Sequence, residues 1–197
     1  MVDIEEIKKW LEKGEKELNE RGVMIHRQKF ITGFANAKEL FSCTLRHVAG
    51  EDAEYLQEYD EVAEWLRDNQ GKSLMLMGQC GVGKSMIACR IIPLMFACRE
   101  RIFPPISATA FSRLDTIDKR NLWIIDDLGT ERVVKDFGTE KDNVSELIEM
   151  IDSCGNCAVI TTNLTSSELK HRYGDRNFDR LRANFKIVAI NHASMRR

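Results

Sequence analysis

The eight residues Gly78-Gln79-Cys80-Gly81-Val82-Gly83-Lys84-Ser85 constrain this chain more than any other stretch. They satisfy the pattern G-x-x-x-x-G-K-[ST] in full. The glycines permit a backbone curl in which successive N–H groups converge on an anion, and a helix beginning at the lysine turns its positive end toward the same point. In such a loop Lys84 reaches the β- and γ-phosphates of a nucleotide, and the Ser85 hydroxyl sits on Mg²⁺. The loop needs a strand before it and a helix after it. Ser73-Leu74-Met75-Leu76-Met77 is a short apolar run suited to a buried parallel strand. Met86-Ile87-Ala88-Cys89-Arg90-Ile91-Ile92 is apolar around most of its circumference, as a helix covering a sheet would be. Gly78 through Met86 are therefore the candidate nucleotide-binding residues.

A second strand carries acids. Leu122-Trp123-Ile124-Ile125-Asp126-Asp127 runs four apolar residues into two carboxylates. Beside a phosphate loop, Asp126 is placed to hold Mg²⁺ with Ser85, and Asp127 to orient or activate the attacking water. Ile160-Thr161-Thr162-Asn163 ends a further strand at the carboxyl edge of the sheet, where ligands bind in such folds. Asn163 can hydrogen-bond the γ-phosphate or the water. Asp175-Arg176-Asn177-Phe178-Asp179-Arg180-Leu181 sets Arg176 and Arg180 four residues apart on one helix. Such arginines either stabilise charge at a neighbouring subunit's γ-phosphate or pair locally with Asp175 and Asp179.

From Lys72 onward strands and helices alternate, which implies a parallel sheet with helices on both faces. The expected strands lie near 73–77, 106–110, 122–126, 158–162 and 186–190, and the helices near 84–99, 140–153, 166–173 and 175–184. Thr165-Ser166-Ser167-Glu168 is a capping box. Earlier in the chain, residues 3–20 read as an amphipathic helix with Ile4, Ile7, Trp10, Leu11 and Leu18 on one face. Residues 21–50 read as a connector with a short helix near 37–41, and 52–69 as a second helix. The stripe over 3–20 must pack on something, either within a separate small helical module or on a partner protein. The expected division is a helical N-terminal segment over 1–40 and an α/β nucleotide-binding domain over 41–197.

The formal net charge of −2 rules out a wholly basic glove for nucleic acid. Basic residues nevertheless collect at the end of the chain, where Lys170, His171, Arg172, Arg176, Arg180, Arg182 and Lys186 precede Arg196 and Arg197. That edge can meet phosphate. No apolar run is long enough to span a membrane, and the acidic start Asp3-Ile4-Glu5-Glu6 is unlike a signal peptide, so a cytoplasmic location is expected. Cys154-Gly155-Asn156-Cys157 has no second pair at zinc spacing and reads as a turn between helix and strand.

Taken in order, Gly78–Ser85, Asp126-Asp127-Leu128-Gly129, Thr161-Thr162-Asn163-Leu164 and Asp175–Leu181 resemble AAA+ ATPases, most of all the DnaC-like helicase loaders and the IstB-like transposition helpers. The closing Ile187–Arg196, with its Ser194-Met195-Arg196, is similar to the end of that family's domain. The resemblance covers about residues 40–197. It implies an AAA+ P-loop fold with a five-stranded parallel core, ATP as the nucleotide with Mg²⁺, and self-association into rings or spirals. It also implies single-stranded DNA as a ligand, and a replicative helicase or a transposase as the protein partner. By position it implies Lys84 and Ser85 on phosphate and metal, Asp126 as the metal carboxylate, Asp127 as the water-activating acid, Asn163 as the sensor and Arg180 as the arginine finger beside Arg176. The chain departs from the family in two places: Asp126-Asp127 stands where Asp-Glu is usual, and Phe111–Arg120 is shorter than the corresponding segment of loaders. The shorter acid implies slow hydrolysis, and so leaves open an adaptor that nucleotide gates without rapid turnover. A GTPase reading fails because no N-K-x-D follows the D-x-x-G-like Asp126-Asp127-Leu128-Gly129.

Overall fold

The computed structural model describes residues 3–22, 29–117, 121–131, 134–136 and 139–192. In chain order its first elements are α1 (Ile4–Glu20), α2 (Ala37–Ala49), α3 (Tyr59–Arg67), β1 (Ser73–Met77), α4 (Lys84–Met86), a π-helical turn (Ile87–Ile91) and α5 (Ile92–Ala97). They are followed by β2 (Pro105–Ser107), α6 (Ala108–Phe111), β3 (Leu122–Leu128), β4 (Val134–Asp136), β5 (Thr139–Lys141), α7 (Asn143–Cys154), β6 (Cys157–Thr162), α8 (Ser166–Asn184) and β7 (Phe185–Ala189).

Five strands form one sheet in the order β2-β3-β6-β1-β7, with every pairing parallel. Because successive strand residues point to opposite faces, the apolar runs feed two cores. Leu74, Leu76, Leu122, Ile124 and Val159 pack with α2, α3, the π turn and α5 on one face. Met75, Trp123, Ile125, Ala158 and Ile160 pack with α6, α7 and α8 on the other. This is the five-stranded parallel α/β architecture expected from the alternation of elements, with helices on both faces and an N-terminal helix ahead of it.

Several boundaries differ from expectation for local reasons. The helix expected over 52–69 begins only at Tyr59, where Asp60 and Glu61 enrich its first turn. Tyr55 and Leu56 still pack on the core, but from the irregular segment that precedes it, and the Tyr55 hydroxyl donates to Asp60 Oδ1 at 3.0 Å. Apolar spacing carried that reading across a turn. The connector helix is longer than 37–41 and runs to Ala49. The strand expected to reach 110 stops at Ser107, whose hydroxyl accepts the Ala110 N–H at 3.2 Å and caps α6 instead. The antiparallel β4–β5 pair was not anticipated. The capping box at Thr165 forms as expected, and the two helices that follow it are joined into α8, with Gly174 non-helical at φ 78° between them.

Ahead of the sheet, Phe30 and Phe34 are buried in the first core beside Phe96. The apolar stripe of α1, by contrast, faces outward: Ile4, Ile7, Trp10, Leu11 and Leu18 are all exposed. No helix among the described residues is long and apolar enough to cross a membrane.

Candidate functional site

The loop after β1 is held from below by β7. The Ile190 N–H donates to the Met77 carbonyl at 2.8 Å, which extends the parallel pairing past the strand ends. This brings the Ile190 carbonyl so close that a Cβ on Gly78, at φ 153°, would lie 2.3 Å from its oxygen. Only glycine fits there. Val82 turns inward and is buried in the first core, which anchors the loop, while Gln79 and Cys80 are exposed. Gly83 is left-handed at φ 86° and leads directly into α4. Lys84 is buried, and its ammonium donates to the Gly78 carbonyl at 2.9 Å, the Gln79 carbonyl at 2.8 Å and Asn163 Oδ1 at 2.7 Å. The lysine has three N–H donors and each finds an acceptor.

At the end of β3 the ladder to β6 slips. Ile125 pairs with Ile160 and Leu128 with Thr162, so Asp126 and Asp127 together face the single residue Thr161. This is a β-bulge. Asp127 takes the left-handed conformation, φ 58°, a geometry that costs a non-glycine residue about 1 kcal/mol or more. The fully buried Thr161 serves both acids: its hydroxyl donates to Asp126 Oδ1 at 2.6 Å and accepts the Asp127 N–H at 2.8 Å.

These segments meet around a cavity of about 640 Å³, a size suited to a nucleotide. Cys80, Gly81, Gly83, Lys84, Ser85 and Met86 line one part of it, Asp126 and Asp127 another, and Asn163 a third. Gly78 and Gln79 contribute through their carbonyls on Lys84, and Val82 through its anchoring contact. The donor chemistry fits a magnesium nucleotide. The Ser85 hydroxyl and Asp126 carboxylate are hard oxygen donors on the walls of one cavity, the loop N–H groups suit phosphate oxygens, and Lys84 supplies a cation. Bound there, the metal would neutralise phosphate charge. With such a ligand in place, the loop would hold the phosphates, and Asp126, Asp127 and Asn163 would face it from the other walls of the cavity.

Two lining residues were not singled out from the sequence, Cys89 and Arg90. Both lie on the π-helical turn, whose extra residue per turn rotates that part of the helix. An ideal helical projection from Lys84 gives no signal for that rotation. Burial and the neighbouring Asp126 push the Cys89 thiol up to about 12.

The two arginines do not line this cavity. Arg176 is exposed on α8. Arg180 turns to α7, with Nε 3.4 Å from Asp152 Oδ2 and a terminal nitrogen 3.9 Å from Glu149 Oε1. Its acids are thus not Asp175 or Asp179, the local partners considered from the sequence, and Asp175 pairs with Lys170 at 3.2 Å. Arg196 lies outside the described residues. A further cluster sits where the chain leaves β3. Glu131 is buried, accepts the Gly129 N–H at 2.7 Å and the Arg172 Nε–H at 3.0 Å, and also accepts from the Tyr173 hydroxyl. Burial and Glu131 push the Tyr173 phenol up. The exit of the acidic strand is thereby tied to α8 just before Gly174. Cys154 is exposed and Cys157 buried, with Gly155 left-handed between them as the helix ends.

A protein-family profile described as Novel STAND NTPase 3 matches residues 56–196, which include the phosphate loop, both aspartates and Asn163. The chain belongs to that NTPase family. Its fold is that of the AAA+ P-loop proteins. The crystal structure of DnaI is similar at 17% identity and a TM-score of 0.58, over 78% of this chain and 93% of that one. The DnaC helicase loader is similar at 18% identity and 0.54, over 78% and 99%. AMPPCP-bound DnaA from Aquifex aeolicus is similar at 16% identity and 0.54, over 71% and 49%. No curated protein matches the chain. The NTPase thus has a DnaC-like core.

Proposed function

We propose that this NTPase binds ATP with Mg²⁺ and hydrolyses it, slowly, in an oligomer on single-stranded DNA, as a loader of a replicative helicase. One observation carries the reading: Lys84, Ser85, Asp126, Asp127 and Asn163, spread over eighty residues of sequence, line one cavity of nucleotide size. Lys84 and the loop would take the phosphates, Ser85 and Asp126 the metal, Asp127 the water and Asn163 the γ-phosphate. The likeness of the fold to DnaI and to the DnaC helicase loader supports the choice of partner. The N-terminal segment, 1–40, would dock on that partner through the exposed apolar face of α1. Arg180 would act on the nucleotide of a neighbouring subunit once released from Glu149 and Asp152.

The in-chain pairing of Arg180 favours a second reading, a nucleotide-gated adaptor with little turnover, because the guanidinium is committed to α7. ATP turnover against protein concentration, with and without single-stranded DNA, separates the two. A rate that rises more than linearly with concentration, and again with DNA, supports the loader. A flat rate near zero despite tight Mg-ATP binding supports the adaptor. Absence of nucleotide binding would overturn both.

A further inference from the structure

We infer that Thr161 is the residue that aims both carboxylates at the metal and water positions, and that the Mg²⁺ dependence of nucleotide binding runs through its hydroxyl. The inference rests on the nucleotide-binding reading above and adds a positioning residue to it.

In a regular strand, adjacent residues point to opposite faces. Asp126 and Asp127 are adjacent, yet both line the cavity. The bulge makes that possible by setting two residues of β3 against one of β6. That one residue is Thr161, buried between β3 and β1. Its hydroxyl has a single proton and gives it to Asp126 Oδ1, which fixes the carboxylate where it lines the cavity. The same oxygen accepts the Asp127 N–H, which holds the left-handed turn at φ 58°. One hydroxyl thus sets the direction of two side chains. Valine would keep the shape and the β-branch of threonine but satisfy neither group.

Thr162 provides the control on the same strand. It is equally buried, and its hydroxyl donates to the Leu128 carbonyl at 2.8 Å and accepts the Leu164 N–H at 3.1 Å. It has the same structural burden without a bond to either carboxylate.

The test is binding of a fluorescent ATP analogue to the full chain, titrated in Mg²⁺ and in EDTA, with a melting curve for each variant. Wild type is expected to bind more tightly with Mg²⁺. Thr161→Val should lose at least tenfold of that enhancement, on the order of one charge-assisted contact, while its affinity in EDTA stays within about twofold. Thr161→Ser should keep the enhancement and Thr162→Val should keep it too. If Thr161→Val does not fold, Thr161→Ala carries the same expectation. A folded Thr161→Val or Thr161→Ala with the wild-type enhancement overturns the inference, as does its loss in Thr161→Ser or an equal loss in Thr162→Val. Failure of wild type to bind the analogue at all overturns the nucleotide reading itself, and with it the inference.

Discussion

The Lys84 ammonium donates to Asn163 Oδ1 at 2.7 Å, joining the loop after β1 to the end of β6 across 79 residues of sequence. Asn163→Ala leaves the lysine its Gly78 and Gln79 carbonyls, so the loop should keep its shape. Nucleotide affinity should change by less than about threefold, whereas hydrolysis should fall by roughly ten- to a hundredfold, as for loss of one polar contact to developing charge. Lys84→Ala should lose affinity as well. Equilibrium titration and single-turnover kinetics check both, and an equal loss of binding and turnover in Asn163→Ala would move Asn163 from the chemistry to the architecture of the loop.

Gly78→Ala should damage the site through the fold. Its Cβ would lie 2.3 Å from the Ile190 carbonyl oxygen, and that backbone cannot move without breaking the bond from the Ile190 N–H to Met77. A loss of about 2 kcal/mol or more is expected in urea unfolding, together with weakened nucleotide binding. An alanine variant as stable as wild type would show that the end of β7 yields freely.

Glu131 is buried and accepts from Gly129, Arg172 and Tyr173, so truncation deprives the Gly129 N–H and the Tyr173 hydroxyl of their acceptor. Glu131→Ala should cost about 3 kcal/mol, and Arg172→Ala less, since its side chain is 34% exposed and solvent can take over its role. The two unfolding curves give the comparison. Equal costs would mean that the acid is held by Arg172 alone rather than also by Gly129 and Tyr173.

Arg180→Ala should cost less than about 1 kcal/mol, because its acids on α7 are partly solvated. Its expected signature is kinetic: the concentration-dependent part of ATP turnover disappears while the melting temperature barely moves. A variant with unchanged multiple-turnover rate would remove Arg180 from catalysis and leave it as a tie between α7 and α8.

Cysteine alkylation reads the cavity directly. Cys80 is exposed on the loop, while Cys89 lies deeper, beside Asp126. Burial and that carboxylate both favour the protonated thiol, so the Cys89 thiolate is absent near pH 8 and appears only as the pH climbs toward about 12. Iodoacetamide at pH 8, followed by peptide mass spectrometry, should label Cys80 and spare Cys89. Mg-ATP should protect Cys80 without affecting Cys43 or Cys98. Rapid labelling of Cys89 at pH 8 would show that the π turn opens in solution.

Much of this was legible in the residues. The phosphate loop, the acids after Leu122–Ile125 and the polar end of Ile160–Asn163 each follow from a strand period broken by residues with specific chemistry. Asp126, Asp127 and Asn163 all line the cavity that Lys84 enters. The missing parts depended on pairing between distant segments. Nothing in Asp126-Asp127 signals a bulge, which exists only relative to the register of β6. The reach of Cys89 depends on a π turn that helical projection does not contain, and the partners of Arg180 are side chains on another helix. Tyr55 and Leu56 are the opposite case: their apolar spacing continues that of α3, yet they pack on the core from ahead of a turn and the helix begins only at Tyr59.

The strand order sets a limit on how this protein can diverge. β6 lies between β1 and β3 and serves both, Asn163 on the lysine side and Thr161 on the aspartate side. A single inserted or deleted residue within it would reverse the facing of Thr161 and separate the two halves of the site at once. Beyond Glu131, the added β4–β5 pair forms a two-stranded sheet of its own, apart from the five strands that carry the site. Length changes among descendants of this chain should therefore accumulate between Glu131 and α7, while β6 stays fixed in length to the residue.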